Sequence, residues 1–274
     1  MIKIDGIKIG DSNRIVLIAG PCVVENREIT LKTAQKIKKL SEKHCIPFIF
    51  KSSYKKANRT SGESFATIGM QEALKILSDV KQELDLPILT DVHSENEVKY
   101  AAEIADVLQI PAFLCRQTEL LQAAGRTMKV INIKKGQFMA PEDMKHQAKK
   151  IEAVGNNQII LTERGTTFGY NNLIVDMRSL DIMKKLGYPV ILDVTHSVQR
   201  PGSGTGVTLG QPEFIFPIAR AGVAVGIDGI FIETHPDPKK ALSDSASQLK
   251  LDLLEKLLIQ VIQIDNLVKK KLKI

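Results

Sequence analysis

The sequence predicts an α/β fold, a (β/α)8 TIM barrel with an N-terminal β-hairpin and a C-terminal helix. The chain has 274 residues, close to the length of about 250 residues that is typical of such barrels. Short runs rich in Val, Ile and Phe recur eight times, as expected for parallel strands buried on both faces. Amphipathic segments separate these runs, and eight alternating units favour a closed barrel with an outer ring of helices.

Each of the eight apolar runs ends on polar residues. The runs span residues 15–22, 47–53, 87–93, 106–112, 130–136, 159–165, 190–196 and 229–235. Predicted helices between them include residues 29–44, 70–84, 144–154 and 214–226. An open doubly wound sheet is the alternative, but GPCVVEN follows the first run where a GxGxxG phosphate loop would be expected.

The two ends of the chain show different patterns. IKIDGIKIG predicts a two-stranded hairpin that turns at Asp5 and Gly6, and we expect it to cover the bottom of the barrel. Residues 248–270 carry a stripe of Leu and Ile that is typical of a helix packed on a core. Because no linker or repeat interrupts the chain, we predict one domain spanning residues 1–274.

Composition and charge narrow the range of functions. The net charge is +7, with 38 Lys plus Arg, and no basic stripe interleaved with aromatic residues suggests a nucleic-acid partner. No run of 18 apolar residues is present, so no membrane partner is expected. The three cysteines cannot all pair and no secretory signal precedes them, which predicts free thiols and a cytoplasmic location. The excess positive charge then favours a phosphorylated substrate.

The ends of the predicted strands carry many ionisable groups. In barrels of this kind the active site lies at the C-terminal mouth, where these ends meet. Structural ion pairs would account for two or three such groups, but a purely structural barrel has no need for so many. The strand-end residues are Cys22, Lys51, Ser52, Ser53, Asp91, His93, Gln109, Lys134, Lys135, Glu163, Arg164, Asp193, His196, Glu233 and His235.

Four residues form a predicted metal site. Cys22 ends the first run, His196 ends the seventh, Glu233 lies near the end of the eighth, and Asp244 follows the eighth run. In a closed barrel the eighth strand neighbours both the seventh and the first, so these residues are adjacent in space. One thiolate, one imidazole and two carboxylates suit a single divalent ion such as Zn, Fe(II), Mn or Co.

Each of these residues also has a structural interpretation when taken alone. Cys22 would more often be a small buried hydrophobic residue, His196 a hydrogen-bonded loop residue and Asp244 a helix cap. Their joint placement on adjacent strands favours the metal site. His93 and His235 also follow strands, and the residue pattern leaves them open as ligands.

Basic residues form a second grouping at the same mouth. The segment FKSSYKKANRTS places Lys51, Lys56 and Arg59 in and after the second run, and Lys134 and Arg164 follow the fifth and sixth. Such side chains bind phosphate groups through charge-assisted hydrogen bonds. An unpaired buried charge is costly, so these groups require anionic partners. Two cationic groupings suggest two phosphorylated substrates or one bisphosphate.

Long motifs along the chain resemble the 3-deoxy-D-manno-octulosonate 8-phosphate synthases. The motifs are AGPCVVEN, FKSSYKKANRTS, QIPAFLCRQTELL, VINIKKGQF, LTERGTTFGYNNLIVDMRSL, DVTHSVQRPG and FIETHPDPKKALSDSASQL. The resemblance runs from residue 15 to about residue 249. It implies condensation of phosphoenolpyruvate with D-arabinose 5-phosphate, and a product used in the lipopolysaccharide of Gram-negative envelopes. It also implies a homotetramer with sites shared between subunits.

The resemblance assigns roles to matching positions. It implies that phosphoenolpyruvate is held by Lys51, Ser53, Lys56, Gln109, Lys134 and Arg164. The pentose and its phosphate would contact Asn58, Arg59 and Thr60, and Asp91 would lie near the aldehyde. Phe113 and Arg116 would reach the site of a neighbouring subunit. Lys56, Asp91, Lys134 and His196 are the residues that we expect to act in catalysis. The family usually has KANRSS, and Thr60 retains the hydroxyl of the serine.

Two features favour the metal-dependent class of that family. Its metal-independent members have asparagine where this chain has Cys22, and the loop QRPGSGTGVTLGQPEF also resembles the metal-dependent class. A related alternative is 3-deoxy-D-arabino-heptulosonate 7-phosphate synthase, which uses erythrose 4-phosphate and typically has KPRTS in place of KANRTS. A non-catalytic phosphosugar-binding barrel is a third interpretation, and the full set of strand-end charges argues against it.

Overall fold

A closed barrel of eight parallel strands forms the centre of the computed structural model, which describes residues 1–57, 65–202 and 209–272. Each strand pairs with its neighbour in chain order, and β8 pairs with β1 from Gly229 opposite Val16 to Glu233 opposite Gly20. The predicted fold class is confirmed. The strands are β1 Val16–Gly20, β2 Phe48–Lys51, β3 Ile88–Asp91, β4 Val107–Ile110, β5 Val130–Lys134, β6 Ile159–Glu163, β7 Val190–Asp193 and β8 Gly229–His235.

Seven of the eight barrel strands are two or three residues shorter than the apolar runs that predicted them, and β8 matches its run. The first run was expected over residues 15–22, whereas β1 ends at Gly20. A side chain at this glycine would place its Cβ 1.9 Å from the carbonyl oxygen of Lys51, so the close approach of β1 and β2 requires glycine. Beyond it, the chain leaves the sheet and turns Cys22 towards the mouth.

Helices surround the barrel and bury its outer face. They are α1 Arg27–Lys43, α2 Met70–Leu84, α3 Glu95–Ile104, α4 Thr118–Arg126, α5 Met144–Glu152, α6 Met177–Lys184, α7 Ile215–Val225 and α8 Leu254–Asn266. The predicted helix at residues 70–84 matches α2 in both bounds. None of the helices in the described ranges is long and apolar enough to cross a membrane.

The N-terminal hairpin covers the bottom of the barrel, as predicted. Its strands Ile2–Ile4 and Ile7–Ile9 pair antiparallel, and Asp5 and Gly6 have φ values of 42° and 82°, which a tight hairpin turn requires. Three of its isoleucines pack with a cluster of interior side chains from all eight barrel strands. The hairpin therefore excludes water from the end of the barrel opposite the mouth.

The C-terminal helix begins later than the sequence pattern predicts. Leu249 and Lys250 pair with Thr234 and His235 at the end of β8, and α8 starts only at Leu254. This pairing satisfies backbone groups that a helix would otherwise use, so the apolar stripe alone placed the start six residues too early. The pairing also fixes the segment that carries Asp244 against the last barrel strand.

Candidate active site

Three of the predicted metal ligands lie together at the mouth. The ligand atoms of Cys22, Glu233 and Asp244 all lie within 4.8 Å of one another. The Sγ of Cys22 lies 3.0 Å from Oδ2 of Asp244. The Nε2 of His196 lies 3.6 Å from Oε2 of Glu233 and 3.9 Å from Oδ2 of Asp244. All four side chains thus face one small volume.

The imidazole of His196 is oriented by a neighbouring carboxylate. Its Nδ1 lies 2.7 Å from Oδ2 of Asp193, and the other oxygen of Asp193 accepts hydrogen bonds from the backbone N–H groups of Thr195 and His196. A carboxylate at Nδ1 leaves Nε2 free to bind a metal and fixes the ring plane. Lys134 donates to the same Asp193 oxygen over 2.6 Å, so the lysine and the histidine share one buried anion.

Lys51 connects the metal ligands to the strand-end polar residues. Its Nζ donates to Oε1 of Glu233 over 2.6 Å, to the backbone oxygen of Cys22 over 3.1 Å and to Oγ of Ser53 over 3.1 Å. The Nζ of Lys56 lies 3.7 Å from the same Glu233 oxygen. Both ammonium groups therefore lie beside the proposed ligand set rather than in a separate part of the mouth.

A chain of hydrogen bonds crosses the barrel from β2 to β6. Ser53 donates to Oδ2 of Asp91 over 2.6 Å, and the amide of Gln109 donates to Oδ1 over 2.7 Å. Asn132 in turn donates to Gln109 over 2.9 Å, and Thr162 donates to Asn132 over 2.7 Å. Every member is buried. Since each link fixes the next, the network holds the carboxylate of Asp91 in one orientation.

One terminal nitrogen of Arg164 is hydrogen-bonded, and the other has no partner in the part of the chain that the structure describes. Its Nη2 donates to Oε1 of Gln199 over 2.8 Å, whereas its buried Nη1 has no hydrogen-bond partner among the described residues. A buried guanidinium nitrogen without an acceptor is costly. Within the described site, this atom is therefore well suited to receive an anionic substrate group.

The buried charges shift one another's pKa values. Burial alone would raise the pKa of Glu233, but the charges of Lys51 and Lys56 hold it well below its usual range. Asp91 shows the same balance. Burial would raise its pKa, but the charges of Lys51 and Lys56 outweigh this effect and lower it. Burial lowers the pKa of Lys134, although Asp193 opposes this. The ionised forms of these two carboxylates are thus stabilised mainly by the neighbouring lysine side chains.

Burial and the nearby carboxylates of Asp244 and Glu233 raise the pKa of the Cys22 thiol well above its usual value. A divalent ion would reverse this balance, because it stabilises the thiolate directly. The Oε2 atom of Glu233 is buried and has no hydrogen-bond partner among the described residues. A thiolate, an imidazole and two carboxylates, one of them with this unpaired oxygen, form a donor set that fits a borderline divalent metal.

The mouth is less cationic than the sequence suggested. Lys51 and Lys134 were expected to need anionic partners, and the protein itself supplies one for each, because Lys51 pairs with Glu233 and Lys134 pairs with Asp193. Lys135 likewise lies 3.5 Å from Glu163. These carboxylates come from other strands that the barrel brings close. Among the predicted cations that the structure describes, Arg164 is the one with an unpartnered buried nitrogen.

Some predicted residues lie elsewhere. Phe113 is 55% exposed and Arg116 is also exposed, in the turn after β4 and outside the buried network. Asn58, Arg59 and Thr60 lie outside the residues that the structure describes. His93 stacks edge-on with Tyr54, and Nε2 of His235 lies 3.7 Å from Glu25. These two histidines, left open as ligands, are absent from the four-residue cluster.

The structure adds site residues to which the sequence assigned no role. Asp193 orients His196, Asn132 extends the polar network, and Ser243 lies 3.0 Å from Sγ of Cys22. Gln199 joins Arg164 to Asp244. Asn132 had a detectable signal, since it is a lone amide inside the apolar run VINIK. The partners of the other three depend on loop conformations that no spacing rule provides.

Comparisons with known proteins give one consistent family. The family model described as the DAHP synthetase I family matches residues 1–270. The 2-dehydro-3-deoxyphosphooctonate aldolase of Geobacter sulfurreducens is 54% identical over 268 residues, which cover 98% of each chain. The protein of the same name from Rickettsia felis is 52% identical over 271 residues, which cover 99% of each chain. The chain therefore belongs to the DAHP synthetase I family and, within it, to the 2-dehydro-3-deoxyphosphooctonate aldolases.

Proposed function

We propose that this enzyme condenses phosphoenolpyruvate with D-arabinose 5-phosphate and water to give 3-deoxy-D-manno-octulosonate 8-phosphate and inorganic phosphate. The observation that carries the proposal is the near full-length match to relatives named for this activity, at 54% identity. The geometry supports it, because buried cations, an oriented carboxylate and a metal-type donor set share one barrel mouth. The product would enter lipopolysaccharide synthesis in the cytoplasm, where the three free cysteines stay reduced.

The proposed phosphoenolpyruvate site lies along β2, β4, β5 and β6. Its carboxylate and phosphate would be bound by Lys51, Ser53, Lys56, Gln109, Lys134 and Arg164. The unpartnered Nη1 of Arg164 supports this placement. The pentose phosphate would bind to Asn58, Arg59 and Thr60, which follow Lys56 in the chain. Asp91 would then lie near the aldehyde, held by Ser53 and Gln109.

The reaction requires two substrates to meet in one orientation. C3 of phosphoenolpyruvate attacks the aldehyde carbon of the pentose, and the aldehyde oxygen takes up a proton. Water adds at the former C2 and loses a proton, and the tetrahedral intermediate expels phosphate by C–O cleavage. Fixed lysines and an arginine contribute by orienting both anions and by stabilising charge that develops at the reacting atoms.

Two groups are placed to move or hold protons. Asp91 is ionised at neutral pH because its pKa is lowered, so it can accept a hydrogen bond from a sugar hydroxyl or from water. His196 is held at Nδ1 by Asp193, which directs Nε2 into the mouth. Both fit a water-positioning or proton-transfer role in the condensation.

A divalent ion, Zn, Fe(II), Mn or Co, would be held by Cys22, His196, Glu233 and Asp244. When bound, it would supply Lewis acidity and an organising charge. The described residues give a physical reason for it. Four cations (Lys51, Lys56, Lys134 and Arg164) face four carboxylates (Asp91, Asp193, Glu233 and Asp244), so they carry no net positive charge for anionic substrates. A dication would restore that charge.

We also propose a homotetramer with sites shared between subunits. Exposed aromatic side chains follow β4, β5 and β6 at the mouth, namely Phe113, Phe138, Phe168 and Tyr170. Large exposed apolar groups on the loops of neighbouring strands are typical of interaction surfaces. Arg116, which follows Phe113 in the same loop, would then reach a neighbouring mouth. Sedimentation of the unmodified protein and of Phe113→Asp tests the assembly. The activity of Arg116→Ala, once sedimentation shows that this variant still assembles, tests the shared site.

Product analysis tests the proposed reaction. Metal-replete protein is incubated with phosphoenolpyruvate and either arabinose 5-phosphate or erythrose 4-phosphate, and the products are identified by mass spectrometry. We expect the eight-carbon keto-acid phosphate and an equimolar amount of phosphate from the pentose. Preferential formation of the seven-carbon product would assign the chain to the heptulosonate reaction instead, and absence of any condensation product would refute the proposed function.

A further inference from the structure

We infer that Gln199 is a positioning residue that couples anion binding at Arg164 to metal binding at Asp244. The inference rests on the proposed function, because it takes phosphoenolpyruvate as the anion and a divalent ion as the metal. Gln199 lies just beyond β7, in a short strand, Gln199–Arg200, that pairs with Leu209–Gly210. Neither the phosphate site nor the metal ligand set, as described above, includes it.

The side-chain amide of Gln199 bridges the two halves of the site. Its Oε1 accepts a hydrogen bond from Nη2 of Arg164 over 2.8 Å, and its Nε2 donates to Oδ1 of Asp244 over 3.3 Å. The bridge is buried, with Gln199 9% exposed. A single planar group thus contacts the guanidinium that faces the proposed phosphate and the carboxylate that faces the proposed metal.

The orientation of this amide is fixed by its neighbours. A guanidinium only donates hydrogen bonds and a carboxylate only accepts them. Rotation of the amide by 180° would place its NH2 group against Arg164 and its oxygen against Asp244, which breaks both contacts. Glutamine is therefore suited to position 199 by polarity as well as by length, because it offers an acceptor and a donor to opposite partners.

The bridge determines which oxygen of Asp244 faces the metal ligands. Oδ1 is occupied by Gln199, whereas Oδ2 lies 3.0 Å from Sγ of Cys22 and 3.9 Å from Nε2 of His196. The outer partner of a ligating carboxylate fixes its angle, and removal of such partners typically weakens metal affinity by about 10–100-fold. Gln199 holds that outer position for Asp244.

Backbone packing keeps Gln199 in place. It lies opposite Gly210 in the short antiparallel pair, and a Cβ at Gly210 would lie 2.6 Å from the carbonyl oxygen of Ala246. The loop after β7 therefore packs directly on the segment that carries Asp244. Because there is no room for a side chain at Gly210, the two segments lie in direct backbone contact.

Coupling follows from the two ends of the bridge. An anion on Nη1 of Arg164 fixes the guanidinium plane, which fixes the amide of Gln199 and through it the carboxylate of Asp244. Any gain in metal affinity that the anion causes must be matched by an equal gain in anion affinity caused by the metal. We expect phosphoenolpyruvate to tighten metal binding by about fivefold or more, a typical coupling between sites.

Cobalt(II) titration of metal-free protein tests the coupling, with the thiolate-to-cobalt absorption band as the signal. The cobalt dissociation constant is measured with and without saturating phosphoenolpyruvate. In Gln199→Met, which removes both hydrogen bonds at similar volume, we expect cobalt affinity to fall by about 10–100-fold and the effect of phosphoenolpyruvate to disappear. Gln147→Met, a buried glutamine on α5, is the matched control and should behave like the unmodified protein.

A second variant covers the case in which Gln199→Met does not fold. Gln199→Asn retains the amide but is one methylene too short to reach both partners, so it should also lose the coupling. Unchanged cobalt affinity and coupling in a folded position-199 variant would overturn the inference. So would the absence of any effect of phosphoenolpyruvate in the unmodified protein, even if that protein forms the eight-carbon product. Coupling that Gln199→Met abolishes, in a protein that forms no product, would support the inference and refute the proposed function.

Discussion

The Nζ atom of Lys51 lies 2.6 Å from Oε1 of Glu233, and each side chain is 1% exposed. Lys51 ends β2 and Glu233 lies two residues before the end of β8. These two strands flank β1, which leads to Cys22. Glu233 thus presents one oxygen to a lysine and the other, which has no hydrogen-bond partner within residues 1–57, 65–202 and 209–272, to the proposed metal. Substrate-binding and metal-binding residues are therefore parts of one charged cluster.

Replacement of Lys51 by methionine should destabilise the metal-free protein. The change leaves the buried carboxylate of Glu233 without its closest cation, and breaking a buried pair in this way costs about 3–5 kcal/mol. Lys56, 3.7 Å from the same oxygen, should keep the loss near the lower end. Denaturant unfolding measures the free energy, and zinc should restore part of it by supplying positive charge.

The control for this prediction is Lys36→Met. Lys36 pairs with Asp252 on the surface, where both side chains are about half exposed. Exposed pairs of this kind contribute about 0–1 kcal/mol. If Lys51→Met and Lys36→Met change the free energy of unfolding equally, the buried pair does not have the importance assigned to it.

Cys22 should determine whether the enzyme depends on metal. A chelator should abolish turnover of the unmodified protein, and added metal should restore it. Cys22→Ala should lose activity that metal cannot restore, whereas Cys115→Ala, which removes another buried thiol, should remain chelator-sensitive and restorable. Cys22→Asn should show chelator-resistant activity, as expected from the metal-independent class. Full turnover of the unmodified protein after exhaustive chelation would contradict the metal assignment.

Metal affinity should rise with pH. Burial and the charges of Asp244 and Glu233 raise the pKa of the Cys22 thiol, so the thiol is protonated at neutral pH and must release its proton when the ion binds. Below the thiol pKa, the exchange of one proton for one ion gives about a tenfold gain in affinity per pH unit. Cobalt titrations at pH 7 and pH 8 measure this slope. It should vanish in Cys22→Ala, and a flat profile in the unmodified protein would argue against the thiolate as ligand.

Arg59→Ala should separate the two substrates. If Arg59 binds the pentose phosphate, loss of its charge-assisted hydrogen bonds should raise the KM for arabinose 5-phosphate by about 10–100-fold, with a smaller effect on phosphoenolpyruvate. Lys55→Ala is the control, because Lys55 already pairs with Glu97 over 2.7 Å. Steady-state kinetics provide both KM values. A larger effect on the KM for phosphoenolpyruvate would contradict the assignment of Arg59 to the pentose phosphate.

The barrel itself was predictable because its signal is local. Eight apolar runs alternate with amphipathic segments, and the hairpin turn at Asp5 and Gly6 depends on two adjacent residues. The strand ends were less predictable. Residues such as Ser53 and His235 take part in short pairings beyond the regular barrel ladder, which depend on contacts between distant segments.

The closeness of residues at neighbouring strand ends was predictable, but their pairing was not. Strand ends must converge at the mouth of a barrel, so Cys22 and Glu233 were expected to be neighbours. Which cation faces which carboxylate depends on side-chain directions across the barrel, and the pairing of Lys134 with Asp193 is one example. Gln199 could not be recognised, because its two partners come from β6 and from the loop after β8.

The most direct test of this account is the location of zinc and phosphoenolpyruvate in crystals of the loaded protein, by anomalous scattering at the zinc edge. We predict a single ion about 2.0–2.3 Å from Sγ of Cys22, Nε2 of His196 and the carboxylates of Glu233 and Asp244. Phosphoenolpyruvate should lie beside it, in contact with Arg164. An ion bound elsewhere, or phosphoenolpyruvate outside the mouth, would contradict the proposed site.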